Sequence, residues 1–211
     1  MTHAPSFDEL PVEMTNASLE TSRRPLRICT VAYAFHDSDS RIMRYTHALT
    51  ARGDVVDVIA LRESGRPPVF VSEGVKVIGV QPREVNEQSR FAYFLRIVLF
   101  FLRTMAILSW RHVRARYDII HVHSVPDFLV FTAWLPKLMG ARIILDIHDL
   151  LPELYASKFV MDRKSITYRL LLAVERISIK FVDHLITAND LWHEKLVERS
   201  VARGRATSLM N

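Results

Sequence analysis

The sequence predicts a doubly wound α/β domain on one largely parallel sheet, spanning residues 25–211 behind a polar tail at residues 1–24. Three observations carry that expectation. From Arg27 onward, short β-rich apolar runs alternate with segments of helical period. Strands separated by helices need crossover connections, which favour parallel pairing with both faces covered. Polar, chemistry-bearing residues gather just after the strands and not before them, where such sheets bind ligands.

The elements follow in order. Met1 to Arg24 lacks periodicity and carries too little apolar surface to offset ordering entropy, so a mobile tail is expected. Ile28 to Ala34 reads as the first strand. The helix after it, Ser40 to Arg52, places Ile42, Tyr45, Ala48 and Leu49 on one face and ends at Gly53. Val55 to Leu61 is the second strand, and Val75 to Val80, introduced by Glu73-Gly74, is the third. A long apolar helix is expected over Ser89 to Arg114, then a strand at Ile119 to Val122. Asp127 to Met139 reads as a helix closed by Gly140, and Arg142 to Ile147 as a strand. Ser165 to Phe181 is a helix, His184 to Thr187 a strand, Asp190 to Arg199 a helix, and Ala206 to Met210 a last β-like run.

Composition bounds the classes. At 211 residues and 49% hydrophobic, the chain fits one domain with a sizeable core. The single cysteine, Cys29, sits in an apolar run, which excludes an internal disulfide and a cysteine metal site and fits a reducing compartment. Met1 to Pro25 carries Asp8, Glu9, Glu13 and Glu20 without an apolar stretch, so no signal peptide is read there. A formal net charge of +5 permits an anionic partner without choosing one.

Four clusters follow strands: His36-Asp37-Ser38-Asp39-Ser40, His121-Val122-His123-Ser124, Asp146-Ile147-His148-Asp149 and Thr187-Ala188-Asn189-Asp190. Hydroxyls, imidazoles and carboxylates on one rim suit a polyhydroxylated ligand, because each can pair with a sugar hydroxyl. The same residue types also cap helices, and each cluster taken alone serves that reading as well. His148 stands out, since the sheet delivers it to the rim between Asp146 and Asp149. His121 and His123 share a strand face and would need Asp146 or His148 to complete a metal site. At the first strand-to-helix turn, Asp37, Asp39 and Arg41 offer hydroxyl contacts or caps. No glycine lies between Arg27 and Arg52, which argues against a dinucleotide fingerprint there.

The helix near Arg90 to Arg116 holds Arg90, Arg96, Arg103, Arg111, Arg114 and Arg116 and no acid. Arg96, Arg103 and Arg114 fall within roughly 20° of one line. A membrane span conflicts with arginines near mid-bilayer, each costing at least ~2.5 kcal/mol. A surface helix against anionic lipid and a core helix with a solvated arginine stripe both fit the pattern.

Taken together, Tyr117 to Phe128 (YDIIHVHSVPDF), Ile144 to Tyr155 (ILDIHDLLPELY) and Val31-Ala32-Tyr33-Ala34-Phe35 leading to Asp39-Ser40-Arg41 resemble the amino-terminal domain of glycosyltransferase family four. The resemblance covers about Arg27 to Asn211 and is strongest to bacterial members acting on surface polysaccharides and lipid-linked sugars. It implies the GT-B architecture of two facing Rossmann-like domains, the first binding the acceptor and the second a nucleotide-sugar donor. It implies transfer with retention, no metal and no cofactor beyond the donor as co-substrate.

By position, His148 would face the reacting sugar as the catalytic residue. Asp37, Asp39, Arg41, His123, Asp146, Asp149 and Asn189 would bind substrate, and Arg96, Arg103 and Arg114 would meet the membrane. The chain is expected to be an acceptor-binding half, inactive without a donor-binding domain, which family members carry after the point where Asn211 stands. The expected partners are a sugar or lipid-linked acceptor, a donor-domain polypeptide and an anionic membrane surface, not nucleic acid. The expected location is cytoplasmic, peripheral on the inner face of the cell membrane. Two rivals remain open: a metal-dependent hydrolase using His121, His123, Asp146 and His148, and a non-catalytic membrane-associated module.

Overall fold

The computed structural model describes residues 24–82, 90–158, 162 and 164–210. The expected tail therefore lies outside the described residues apart from Arg24, as does Ser89. Arg24 itself is tied to the domain, its guanidinium 2.6 Å from the Asp118 carboxylate.

Eight strands form one sheet: β1 (Arg27–Phe35), β2 (Val55–Arg62), β3 (Val69–Ser72), β4 (Val75–Pro82), β5 (Ile119–His123), β6 (Arg142–Ile147), β7 (His184–Thr187) and β8 (Ala206–Ser208). Their order is β3-β4-β2-β1-β5-β6-β7-β8, parallel except for the β3–β4 edge hairpin. The helices are α1 (Ser40–Ala51), α2 (Arg90–Arg114), α3 (Trp134–Leu138), α4 (Leu151–Lys158), α5 (Ile166–Phe181) and α6 (Asp190–Arg199). The doubly wound, largely parallel sheet is the architecture the alternating pattern called for.

Three elements differ from the sequence reading. β3 was not anticipated: it alternates between exposed and half-buried, and Glu73 and Gly74, at φ 47° and 79°, turn it back onto β4. The Asp127–Met139 helix is instead a 3-10 segment, Asp127–Ala133, running into the short α3. Pro136 has no N–H to give Thr132, so the α-helical ladder cannot extend back through that position. α4 was missed because its apolar residues lack a helical stripe, although Pro152 suits its first turn.

The core sits on the α2 side of the sheet. Phe100 and Leu108 of α2 pack with Cys29, Val31, Ile120, Val122, Ile143 and Leu145. A smaller cluster of Val56, Val58, Ala60, Val75 and Val77 packs under Leu49 of α1. Between these, on the α1 side, β5 and β6 present His121, His123 and Asp146 where apolar residues would be the default. That substitution positions the site.

Candidate functional site

The register of β5 on β6 sets His121 beside Ile144 and His123 beside Asp146. Residues two apart on a strand share a face, so His148 continues the Asp146 row one step outward. Asp146 is fully buried, whereas the His148 side chain keeps 23% of its surface open at the carboxyl edge of the sheet. His123 Nδ1 lies 3.1 Å from His148 Nε2, and Asp146 Oδ2 stands 3.6 to 3.8 Å from ring nitrogens of His121, His123 and His148.

Arg41 closes this cluster from the first turn of α1. Its Nε donates to Asp146 Oδ2 at 2.9 Å and its Nη2 to Oδ1 at 2.6 Å, a bidentate pair with both groups buried. Such a pair holds only because it is geometrically complete, since each ion has lost its water. Tyr45, four residues on and hence on the same helix face, lays its ring over His121 and His123 with centroids 5.2 and 5.8 Å away. Helical periodicity puts Tyr45 on the apolar face of α1, and that face covers imidazoles.

Burial sets the protonation states. His121 is pushed down to about 3, first by desolvation and then by the Arg41 charge, and His123 falls well below its ordinary range for the same leading reason. His148 is lowered too, by burial and Arg41, with Asp39 and Asp149 pulling the other way. These rings are neutral at pH 7. Burial raises the Asp146 carboxyl to about 6 while Arg41 opposes it, leaving the carboxylate to meet the guanidinium at neutral pH.

The other expected contact residues have structural partners. Asp39 caps α1, accepting from the backbone N–H groups of Arg41 and Ile42, and Asn189 caps α6 through Trp192. Asp37 is held by His36 and Arg66, each at 2.6 Å. Arg41, Asp146 and His123 are buried beneath the rim, not on it. Of that set Asp149 is exposed, while His148, Asp37, Asp39 and Asn189 are half-buried, and of these four His148 is neither a helix cap nor held in an ion pair with an arginine. One residue escaped the sequence reading: Asp127, fully interior, whose carboxyl burial and the Glu175 charge raise to about 7.

A cation has little to gain here. The ligand atoms of His121, His123 and Asp146 do lie within 4.8 Å of one another. Yet both Asp146 oxygens already accept from Arg41, and that guanidinium would face the ion at short range.

Residues 39–211 match the family described as Glycosyl transferase 4-like domain. The chain belongs to this family. Solved structures agree on the fold. A sucrose-phosphate synthase from Thermosynechococcus elongatus superposes with TM-score 0.60 at 15% identity over 87% of this chain and 48% of that one. A shorter chain of the same enzyme gives 0.61 at 15% identity over 88% of each. UGT73P12 from Glycyrrhiza uralensis, solved with glycyrrhetinic acid 3-O-monoglucuronide, gives 0.58 at 11% identity over 89% and 48%. WaaB, a lipopolysaccharide outer core galactosyltransferase in its apo form, gives 0.53 at 9% over 88% and 46%. The glycosyl transferase 4-like chain thus spans about half the length of these full-length structural neighbours. No curated protein matches it. The GT-B type of fold and a glycosyltransferase-type module are the identity these findings give.

Proposed function

We propose that this domain is the acceptor-binding half of a retaining, nucleotide-sugar-dependent glycosyltransferase that builds cell-surface polysaccharide or glycolipid. The observation that carries the reading is the half-open His148, neutral and backed by a buried Arg41–Asp146 pair, at the ligand-binding edge of the sheet. A rigid imidazole there can accept or donate a hydrogen bond to a sugar hydroxyl as charge develops at the reacting carbon. Asp149 stands next to it as a second hydroxyl partner. The buried His123 and Asp146 hold His148 in place and do not touch substrate.

The nucleotide sugar would come from a donor-binding domain, whether in the same polypeptide or another. The 211-residue chain by itself is expected to bind nucleotide sugar weakly and to transfer essentially none. Turnover by this chain alone, at verified mass, would overturn that part of the reading; restoration by an added donor-binding domain would support it.

The membrane reading rests on α2. Its inner row, Ile97, Phe100, Thr104, Leu108 and His112, is buried in the domain and ties the helix to the fold, although Phe91–Arg114 is long and apolar enough to cross a membrane. Its outer row is also apolar: Phe91, Leu102, Trp110 and Val113 are between 47% and 75% exposed. Arg103 is exposed along one flank, and the Arg114 guanidinium lies 3.8 Å over the Trp110 ring. An apolar stripe edged by guanidinium groups fits the headgroup boundary of an anionic bilayer, consistent with a peripheral site on the inner face of the cell membrane.

A further inference from the structure

The surface pattern of α2 recurs on α5. At about 100° per residue, Ile166, Leu170, Ala173 and Ile177 fall on one ridge, opposite the buried Tyr168, Glu175 and Ile179. The ridge faces solvent: Ile166, Leu170 and Ile177 are between 56% and 75% exposed. Arg169, Arg176 and Lys180, all exposed, run along a single flank of it, less than a quarter turn away. α2 likewise has Leu95, Leu102 and Val113 on an outer ridge, with Arg96, Arg103 and Arg114 about a quarter turn to one side.

The two helices cover the same face of the sheet. Phe100 and Leu108 of α2 and Ile179 of α5 belong to one core, and the 3-10 segment Asp127–Ala133 packs between the helices. Its Phe128 meets Phe101 of α2 with ring centroids 5.8 Å apart, and its Phe131 meets Phe181 of α5 at 5.1 Å. α3 continues that segment and leaves Trp134 and Leu138, four residues apart and hence on one side, exposed. Both basic flanks point away from this middle. On α2, Arg103 reaches back to Gln81 of β4 at 3.2 Å, on the side turned from Phe128. On α5, the flank of Arg169, Arg176 and Lys180 is the one turned from Phe131. The face is therefore apolar through its centre and cationic along both margins. Its three helices hold a single acid, Glu175, which is buried against Arg199.

We propose that α2, α3 and α5 form one platform that seats the domain flat on an anionic bilayer. The inference rests on the membrane reading of α2 and widens it from one helix to a whole face of the sheet. The central apolar ridges enter the headgroup boundary, and the two cationic margins meet lipid phosphates. A second copy of the chain is the poorer occupant. Two-fold pairing sets a patch against itself, which would bring basic margins together with no exposed acid on the three helices to answer them. Seated this way, the sheet lies parallel to the membrane above one helix layer of ~10 Å. The row of Asp146 and His148 belongs to the opposite, α1 side of the sheet, so its opening faces along the membrane and not into it.

The experiment is flotation of the 211-residue chain with vesicles of phosphatidylglycerol and phosphatidylcholine at low salt. Arg169→Gln/Arg176→Gln/Lys180→Gln should weaken binding about a hundredfold, from three charges at about fivefold each. A second readout is quenching by brominated lipid of a fluorophore on Leu138→Cys, Leu170→Cys or Ala48→Cys. The native Cys29 is buried and escapes labelling, and Ala48 is exposed on α1 across the sheet. Labels at residues 138 and 170 should be quenched and the label at residue 48 spared. Wild-type binding that the α5 changes leave intact, with the labels on α3 and α5 unquenched, overturns the platform and leaves α2 as the lipid contact. A wild type that does not float removes the membrane reading and the platform with it. A wild-type dimer in sedimentation that Leu170→Ser/Ile177→Ser returns to monomer makes a second copy the occupant and overturns the proposal as well.

Discussion

Replacing His121 by phenylalanine should change how the domain responds to acid more than how stable it is at neutral pH. The folded state holds His121 down near 3, against an ordinary value of 6.5. A depressed histidine is protonated first in the unfolded chain, so its contribution is present above pH 6.5 and lost as pH falls toward the folded value. Each pH unit below 6.5 removes about 1.4 kcal/mol, so acidification from about pH 7 to about pH 5 removes about 2 kcal/mol through this one ring. The wild-type profile hides that loss. Asp127 and Asp146, raised to about 7 and about 6 from 3.8, keep protons in the folded state that the unfolded chain has released. Their contribution has the opposite sign: it is lost as pH rises through those values and regained on acidification. Over the same interval it amounts to roughly 3–4 kcal/mol, more than His121 alone loses, and the depressed His123 adds a second loss of the His121 sign, so the wild-type slope should be shallow. His121→Phe keeps a flat ring under Tyr45 and removes a buried nitrogen that has no hydrogen-bond partner. Urea melts of both proteins at the two pH values are the assay. The variant should gain about 2 kcal/mol on the wild type between the higher and the lower pH. Parallel profiles would refute the assignment of His121 as a buried neutral ring.

The same cluster supports further tests. Arg41→Met strands the Asp146 carboxylate in the interior and should cost about 3–5 kcal/mol in urea denaturation, with Arg41→Met/Asp146→Asn recovering part of it. With a donor-binding domain supplied, His148→Ala should lower turnover roughly a hundredfold while shifting stability by less than ~1 kcal/mol. A lower melting temperature at full activity would make His148 a structural residue. Arg103→Gln with Arg114→Gln should weaken flotation with anionic vesicles about twenty-five-fold at low salt and leave the fold intact. A monomeric folded sample that fails to bind such vesicles removes the membrane reading.

What the sequence could carry divides along the sheet. Short apolar runs and a helix with a polar cap can be read locally, so β6, β7 and α6 match their expected bounds. β3 could not be read that way, because an edge strand with only Phe70 against the core has half a pattern. The rim was legible as a set of residue types but not as a set of roles. Asp146 and His148 look alike in sequence, two polar residues near the end of one strand. Their depth differs by a single pleat, which puts one against Arg41 and the other at the opening. Arg41 lies 105 residues from Asp146 in the chain, and no local spacing connects them. Asp39 and Asn189 show the reverse limit: a carboxylate or amide just before a helix always has a backbone donor within reach, and here both took it.

The arginine-rich helix marks where sequence periodicity stops being informative. A helix apolar all round gives no sign of which side is inward. In α2 the core uses Ile97, Phe100, Leu108 and their row, and the arginines occupy one flank. Neither needs Phe91, Leu95, Leu102, Trp110 and Val113, which remain exposed on the outer side. A solvated stripe would carry polar residues at those positions without loss to the fold. That the stripe is apolar where the fold does not require it, and is edged by guanidinium groups, is the feature on which the proposed lipid contact rests.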